Sequence, residues 1–211
     1  MTLELVTLTT ADGVELDGAL YESGPARRGA IVMVHGLTWN FYRGPSRWLP
    51  PLLARAGFDC LSLNMRDHDQ AEPKDFDLAH HDLRAGLDFV AARAGAAAVL
   101  AHGFACNKLL RYAETSGDRQ PHRCVLTTLG AAKAYRPEIW DAALRGAAVM
   151  TGDTLIVQGA TDTLIEARPR ADEVTAAATG SRVETVLLEG ADHYFNARHE
   201  ALAQTIVDWL G

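Results

Sequence analysis

Apolar and polar residues follow two different patterns along the chain. Near the N-terminus, residues 3–8 and 14–21 alternate apolar and polar side chains on either side of Ala11-Asp12-Gly13, which predicts an antiparallel hairpin. Beyond residue 29 the candidate strands are mostly apolar, as is typical of strands buried on both faces. They cover residues 30–34, 58–64, 96–101, 123–129, 154–158 and 183–188.

Segments with apolar residues at helical spacing separate these strands. The predicted helices cover residues 48–56, 78–93, 108–113, 138–144, 166–178 and 198–210. We expect Gly57 to end the first helix and Asp77 to cap the second. Strands that alternate with helices at this spacing predict right-handed crossovers, and therefore an α/β fold with a parallel sheet covered on both faces.

The sharpest local pattern is the turn between the strand at residues 96–101 and the helix that follows it. The turn contains Ala101, His102, Gly103, Phe104 and Ala105. Small residues two before and two after the central position let a strand and a helix pack closely in a nucleophile elbow, the strained turn that presents a catalytic side chain above a sheet. In this chain the central position is a glycine, which has no side chain to present.

Three further segments carry motifs of the same kind. One strand ends in His35-Gly36, another leads into Asp162, and Gly190-Ala191-Asp192-His193 forms a loop near the C-terminus. With the elbow, these segments make the chain resemble the α/β-hydrolase fold family, in which the elbow, the acid and the histidine follow one another in this order.

The resemblance covers nearly the whole chain and implies a definite architecture. We expect one α/β-hydrolase-like domain over residues 1–211, with a mostly parallel central sheet of about eight strands and helices on both faces. Many relatives carry a lid domain after the strand that ends here near Leu129. Only residues 130–153 are available for one in this chain, so we expect a minimal lid or none.

The resemblance also assigns site residues. It implies that Asp162 orients His193 as a general base, and that the backbone N–H groups of Leu37 and Phe104 form an oxyanion hole. Asp192 is a rival for the orienting acid, but side chains of adjacent residues rarely point at each other. His102 is common at its position in the family, where we expect a structural role.

Gly103 occupies the position of the nucleophile and excludes an ordinary acyl-enzyme mechanism. Loss of a triad serine costs about a millionfold in turnover, or ~8 kcal/mol of barrier reduction. Cys106 is an unfavourable substitute, because three residues along the helix it should pack against the sheet rather than face His193. Ser62 lies within a strand and is expected to be buried.

Several polar residues follow strand ends and should face the same rim as the elbow. We take His35, Thr38, Tyr42, Asp67, His68 and His102 as candidates for substrate binding. Residues 67–69 and 80–82 also contain the ligand types that transition metals prefer, but neither cluster has a recognised ligand spacing. A solvated loop and a polar helix face are the favoured interpretations, and we expect neither a metal nor a cofactor.

Charge and composition limit the classes of binding partner that we expect for this protein. The formal net charge is −7 and no block of Lys and Arg stands out, so we expect a small-molecule substrate and no nucleic-acid or membrane partner. The three cysteines form no Cys-x-x-Cys motif. The N-terminus lacks the pattern of a signal peptide, so we expect a cytoplasmic protein. The sequence leaves the oligomeric state open.

Three hypotheses remain for the function. The first is a hydrolase of a small ester, lactone or other acyl substrate, either by direct attack of water at Gly103 or as a serine hydrolase whose serine is replaced by glycine. The second is a lyase, isomerase, cyclase or cofactor-free oxygenase that uses the His–Asp pair as a base. The third is a catalytically silent ligand-binding protein.

Overall fold

The computed structural model describes residues 1–73, 75–130, 136–164 and 167–211, and within these ranges eight strands form one sheet. The strands are β1 (Thr2–Thr9), β2 (Glu15–Glu22), β3 (Gly29–Val34), β4 (Phe58–Leu63), β5 (Ala97–His102), β6 (Arg123–Thr127), β7 (Asp153–Gly159) and β8 (Val183–Leu188). Their spatial order is β1-β2-β4-β3-β5-β6-β7-β8. β1 and β2 pair antiparallel, β2 pairs antiparallel with β4, and all pairs from β4 to β8 are parallel.

Six α-helices connect the strands in the described part of the chain. They are α1 (Pro45–Arg55), α2 (Ala79–Ala94), α3 (Ala105–Ser116), α4 (Pro137–Val149), α5 (Ala167–Ala177) and α6 (His199–Leu210). A mostly parallel sheet of about eight strands, as expected from the sequence, is confirmed.

The bounds of several elements differ from the sequence-based expectation: α3 is longer than the predicted helix at residues 108–113, and β6 ends two residues before the predicted strand at 123–129. Asp77 does not cap α2; it lies inside a short 3₁₀ turn, Phe76–Leu78, and α2 has no side-chain cap. α4 is longer than the predicted helix at residues 138–144 and occupies most of the segment where relatives carry a lid.

Side-chain alternation along the strands divides the core between the two faces of the sheet. In β3, Val32 and Val34 belong to the cluster that packs under α2, α3, α4 and α5. Ile31 and Met33 belong to the opposite cluster, under α1 and α6. The central strands are apolar on both faces because helices cover both.

Gly146 explains how closely α3 and α4 approach each other. A Cβ atom at this position would lie 1.8 Å from the backbone oxygen of Leu110. The two helices are therefore in backbone contact, and α4 is held against the helix that begins at the elbow.

No described helix is both long and apolar enough to span a bilayer.

Candidate active site

The turn between β5 and α3 has the geometry of a nucleophile elbow. Gly103 has a φ of 60°, in the left-handed region that favours glycine. Its N–H donates to the backbone oxygen of Thr127 at 2.9 Å, and its own oxygen accepts from the N–H of Cys106 at 3.1 Å. A Cβ atom on Gly103 would meet only Cα of Gly36 and Oγ1 of Thr128, both at 3.9 Å. There is therefore room for a side chain at this position.

His193 and Asp162 form a hydrogen-bonded pair. Nδ1 of His193 lies 2.8 Å from Oδ2 of Asp162, whose side chain is fully buried, while the imidazole is 13% exposed. The other oxygen of Asp162 accepts from the N–H of Leu164 at 2.8 Å. The loops after β7 and β8 thus bring together two residues that are 31 positions apart.

Asp192 faces away from the imidazole. Its carboxylate accepts from the backbone N–H groups of Tyr194 and Asn196 and from the side-chain amide of Asn196. These hydrogen bonds hold the pKa of Asp192 below its ordinary value, against the opposing effect of its burial. The rejection of Asp192 as the orienting acid agrees with this geometry.

The loop after β3 lies against the elbow. A Cβ atom on Gly36 would lie 3.2 Å from the oxygen of His102 and 3.5 Å from the nitrogen of Phe104. A side chain here would press on the backbone of the elbow. Across the described ranges, neither the N–H of Phe104 nor that of Leu37 donates to another protein group. Both groups are therefore available as donors beside the elbow.

Two aromatic residues that the sequence did not single out cover the imidazoles. The ring of Trp39 stacks on His102 with a centroid distance of 5.3 Å and on Tyr194 at 5.1 Å. Tyr194 in turn meets the ring of His193 edge to face at 4.9 Å. The sequence signal that could have identified Trp39 is its position two residues beyond Leu37, a candidate oxyanion residue.

His102 is buried next to His193. The two ring centroids are 5.8 Å apart, edge to face, and Nδ1 of His102 contacts the hydroxyl groups of Thr127 and Thr128 at 3.0 and 3.2 Å. Burial, assisted by the nearby His193, lowers the pKa of His102 to about 3. The imidazole is therefore neutral at physiological pH.

His35 does not face the substrate side of the rim, contrary to its selection as a binding candidate. It is buried, Nδ1 donates to the oxygen of Gly36 at 2.8 Å, and Nε2 accepts from the N–H of Met65 at 3.0 Å. Burial lowers its pKa to about 4. Both nitrogens are occupied within the protein, so His35 fixes the loops after β3 and β4 instead of binding a ligand.

Asp67 is also committed to a protein contact. Its Oδ1 lies 2.5 Å from Nζ of Lys108, and both side chains are 2% exposed. Burial lowers the pKa of Lys108, although Asp67 opposes this shift. The ammonium group lies 5.8 Å from the ring centroid of Phe104. The prediction that Asp67 binds substrate is therefore wrong, because a lysine that α3 buries here engages the carboxylate in the interior.

The other binding candidates lie at the surface of the rim. Thr38 is exposed, and its N–H donates to the oxygen of Gln70. Tyr42 is exposed, and it lines a shallow cleft together with His68 and Asp69. Substrate binding by Thr38, Tyr42 and His68 stays a prediction.

The residues weighed as metal ligands have protein partners. Asp69 accepts from the amide of Asn40, and Nδ1 of His80 donates to the oxygen of Asp77. Asp82 is clamped by Arg66, which also pairs with Asp12. Most of the polar residues at 67–69 and 80–82 are thus engaged by other protein groups.

Cys106 is not positioned as a nucleophile. It is fully buried, and its thiol donates to the oxygens of Ala101 and Thr127. Burial raises the pKa of this thiol far above its ordinary range.

A cavity of about 270 Å³ adjoins the two candidate oxyanion residues. Leu37, Phe104 and Ile139 give it an apolar wall, and Arg136 stands at the border with a second cavity of about 370 Å³. Its remaining described lining residues are Ala71, Glu72 and Pro73. Ile139 belongs to α4, so this helix takes part in shaping the cavity.

Known proteins resemble this chain in structure and not in sequence. No family model and no curated protein matches the sequence. An esterase from Pyrococcus furiosus is 15% identical with a TM-score of 0.74, covering 99% of this chain and 90% of its own. An alpha-beta serine hydrolase homologue from Coxiella burnetii is 18% identical with a TM-score of 0.76, covering 100% and 99%. A dienelactone hydrolase from Anabaena variabilis is 17% identical with a TM-score of 0.77, covering 99% and 96%.

These matches extend over 90% or more of each chain, with TM-scores of 0.74 to 0.77. The chain has the α/β-hydrolase fold.

Proposed function

We propose that this protein hydrolyses a small ester or lactone, with His193 as general base oriented by Asp162. The observation that carries the proposal is the 2.8 Å hydrogen bond between Nδ1 of His193 and the fully buried carboxylate of Asp162. A histidine without a functional role would not need a buried carboxylate as its hydrogen-bond partner. The structural neighbours, which include an esterase and a dienelactone hydrolase, support the same reaction class.

The hydrogen bond to Asp162 determines the tautomer of the His193 imidazole. Because a carboxylate only accepts hydrogen bonds, Nδ1 of His193 carries the proton that is shared with Asp162. Nε2 is then the unprotonated nitrogen and can accept a proton. The buried carboxylate also stabilises the imidazolium that forms.

The oxyanion hole uses backbone donors. The N–H groups of Phe104 and Leu37 have no protein partner among the residues that the structure describes, and they lie on two adjacent loops. They stabilise the negative charge that develops on the carbonyl oxygen of the substrate. This part of the site does not depend on a serine side chain.

Gly103 leaves water as the nucleophile. The water oxygen forms a bond to the carbonyl carbon of the substrate while His193 takes one water proton. The tetrahedral intermediate then expels the alkoxide, which receives that proton from the imidazolium, and a carboxylic acid and an alcohol are released. No bond to the protein forms at any stage.

The adjoining cavity limits the acyl group. About 270 Å³ lies next to the two donors, with apolar side chains of Leu37, Phe104 and Ile139 in its wall. A space of this size, at the lower end for ligand pockets, suits a short apolar acyl chain.

The test compares the protein as it stands with Gly103→Ser on short-chain activated esters and lactones, with intact mass spectrometry to detect an acyl adduct. His193→Ala is made in both backgrounds. The matched control is His122→Ala, an exposed histidine at the opposite end of the parallel strands. We expect slow turnover without adduct in the glycine form, adduct formation and faster turnover in the serine form, and loss of both with His193→Ala alone.

Two results contradict the proposal. One is hydrolysis that survives His193→Ala in both backgrounds. The other is the absence of hydrolysis and of adduct in both forms, although circular dichroism shows that they are folded.

The absence of a nucleophilic side chain at Gly103 favours a second candidate, in which His193 removes a proton from a carbon acid. This reaction needs the base and the oxyanion donors but no nucleophile. It predicts incorporation of solvent deuterium into a bound carbon acid without hydrolysis, again abolished by His193→Ala.

A further inference from the structure

His102 is a buried imidazole whose tautomer is fixed by its neighbours. Nδ1 contacts the hydroxyl groups of Thr127 and Thr128. Each hydroxyl has one proton and donates it to a backbone oxygen, Thr127 to Ala101 at 3.2 Å and Thr128 to Thr127 at 2.7 Å. With both hydroxyl protons directed to backbone oxygens, we assign the proton of the neutral ring to Nδ1, which donates it to the hydroxyl oxygens.

Nε2 of His102 is then a bare hydrogen-bond acceptor. It is fully buried and has no partner among the described residues. Buried acceptors are rarely left without a donor, because desolvation without a hydrogen bond is costly. The ring that carries this nitrogen is enclosed by Trp39 on one face and by His193 at its edge. The acceptor therefore belongs to the same enclosed group of side chains as the base.

The chemistry of the attacking water calls for a second acceptor. Water has two protons, and in a site closed by aromatic rings both need an acceptor if its lone pair is to point at the carbonyl carbon. His193 takes one of them. A lone acceptor would leave the water free to rotate about that hydrogen bond.

We propose that Nε2 of His102 accepts a hydrogen bond from the attacking water and, with His193, orients it for attack. This inference rests on the proposed direct attack of water at Gly103. The water proton that is hydrogen-bonded to Nε2 stays on the water oxygen and becomes part of the tetrahedral intermediate. His102 therefore remains neutral throughout. Its low pKa, caused by burial, is consistent with that role.

A serine at position 103 would remove the need for a second hydrogen-bond acceptor. Its hydroxyl has a single proton, which His193 accepts, and its oxygen is held by the chain. Acylation of the serine form should therefore need no second acceptor. A stronger dependence on His102 in the glycine form than in the serine form separates water positioning from a structural role.

The experiment uses His102→Phe and His102→Gln in both backgrounds. Phenylalanine keeps the stacking on Trp39 and removes the acceptor, whereas glutamine places an amide oxygen near the position of Nε2. In the glycine form we expect His102→Phe to lower kcat by at least about tenfold with little change in KM, and His102→Gln to recover part of the loss. In the serine form both variants should lower the rate of acylation by a clearly smaller factor than the loss of kcat in the glycine form.

Two outcomes overturn the proposal. Equal losses in the two backgrounds would assign His102 a structural role, and a change in KM alone would assign it a role in substrate binding. His122→Ala serves as the matched control for the loss of a histidine.

A second measurement does not depend on turnover. Nitrogen-15 spectra of labelled histidine report which ring nitrogen carries the proton. The Nδ1–H tautomer, with a hydrogen-bonded Nε2, supports the acceptor role even if the glycine form hydrolyses no ester, in which case the proposed function fails alone. The Nε2–H tautomer overturns the inference about His102 whatever the activity.

Discussion

Replacement of Lys108 by methionine should destabilise the protein strongly. The ammonium group of Lys108 and the carboxylate of Asp67 form an ion pair in which both side chains are 2% exposed. Methionine has a similar length and fills the same space, but it leaves the carboxylate buried without a counter-charge. Removal of one partner of a buried pair costs about 3–5 kcal/mol.

This cost should be visible in the melting temperature. For a chain of 211 residues, each kcal/mol shifts Tm by roughly 2–4 °C, so we expect a drop of about 6–20 °C. Urea unfolding followed by circular dichroism gives the free energy of unfolding directly. The double variant Lys108→Met/Asp67→Leu removes both charges, and it should recover most of the loss because burial of two apolar side chains has no desolvation penalty.

The matched control is Arg84→Met, which breaks the exposed pair with Asp88 one turn along α2. Exposed pairs of this kind contribute about 0.3–0.5 kcal/mol. The reasoning is refuted if Lys108→Met costs no more than this control, or if the double variant is less stable than either single variant.

Three further predictions concern Gly146, His35 and Asp162. Gly146→Ala should lower the free energy of unfolding by about 1–3 kcal/mol or more in urea titrations, because its Cβ would collide with the backbone of Leu110; an unchanged midpoint would show that α3 and α4 are not in backbone contact. The pKa of His35 is lowered from 6.5 to about 4 by burial, so its contribution of about 3 kcal/mol to stability is complete above pH 6.5 and is lost as the pH falls through 4. In His35→Gln the urea midpoint should vary less with pH over this window, and an unaltered dependence on pH would contradict the assignment. Asp162→Asn should reduce ester turnover by roughly 10⁴-fold without loss of fold, because His193 would lose its orienting charge; equal activity in a spectrophotometric ester assay would remove Asp162 from the mechanism.

The fold was accessible from the sequence because its dominant signals are local. The apolar runs of the central strands and the small residues at 101, 103 and 105 predicted a parallel sheet and an elbow, and both are present. The resemblance to the α/β-hydrolase fold family then implied that Asp162 and His193 lie on neighbouring loops. Strand pairing and chain order determine this proximity, so it needed no knowledge of side-chain packing.

What the sequence could not supply depends on side-chain partners that are distant along the chain. His35 and Asp67 follow strand ends, as binding residues do, but Met65 and Lys108 engage them in the interior. A lysine on an amphipathic helix is normally exposed, since burial of its charge requires a partner that periodicity does not reveal. The contact between Trp39 and His102 likewise depends on the path of a loop that has no regular pattern.

The left-handed backbone at Gly103 has a consequence for the history of the chain. Glycine adopts this conformation without penalty, whereas an L-residue such as serine pays about 1–2 kcal/mol for it. The open space around the missing Cβ means that serine would demand no movement of its neighbours. Some glycine codons become serine codons by one base change. A lineage with this turn can therefore gain or lose the side chain in a single mutational step, and selection for stability alone would favour the glycine.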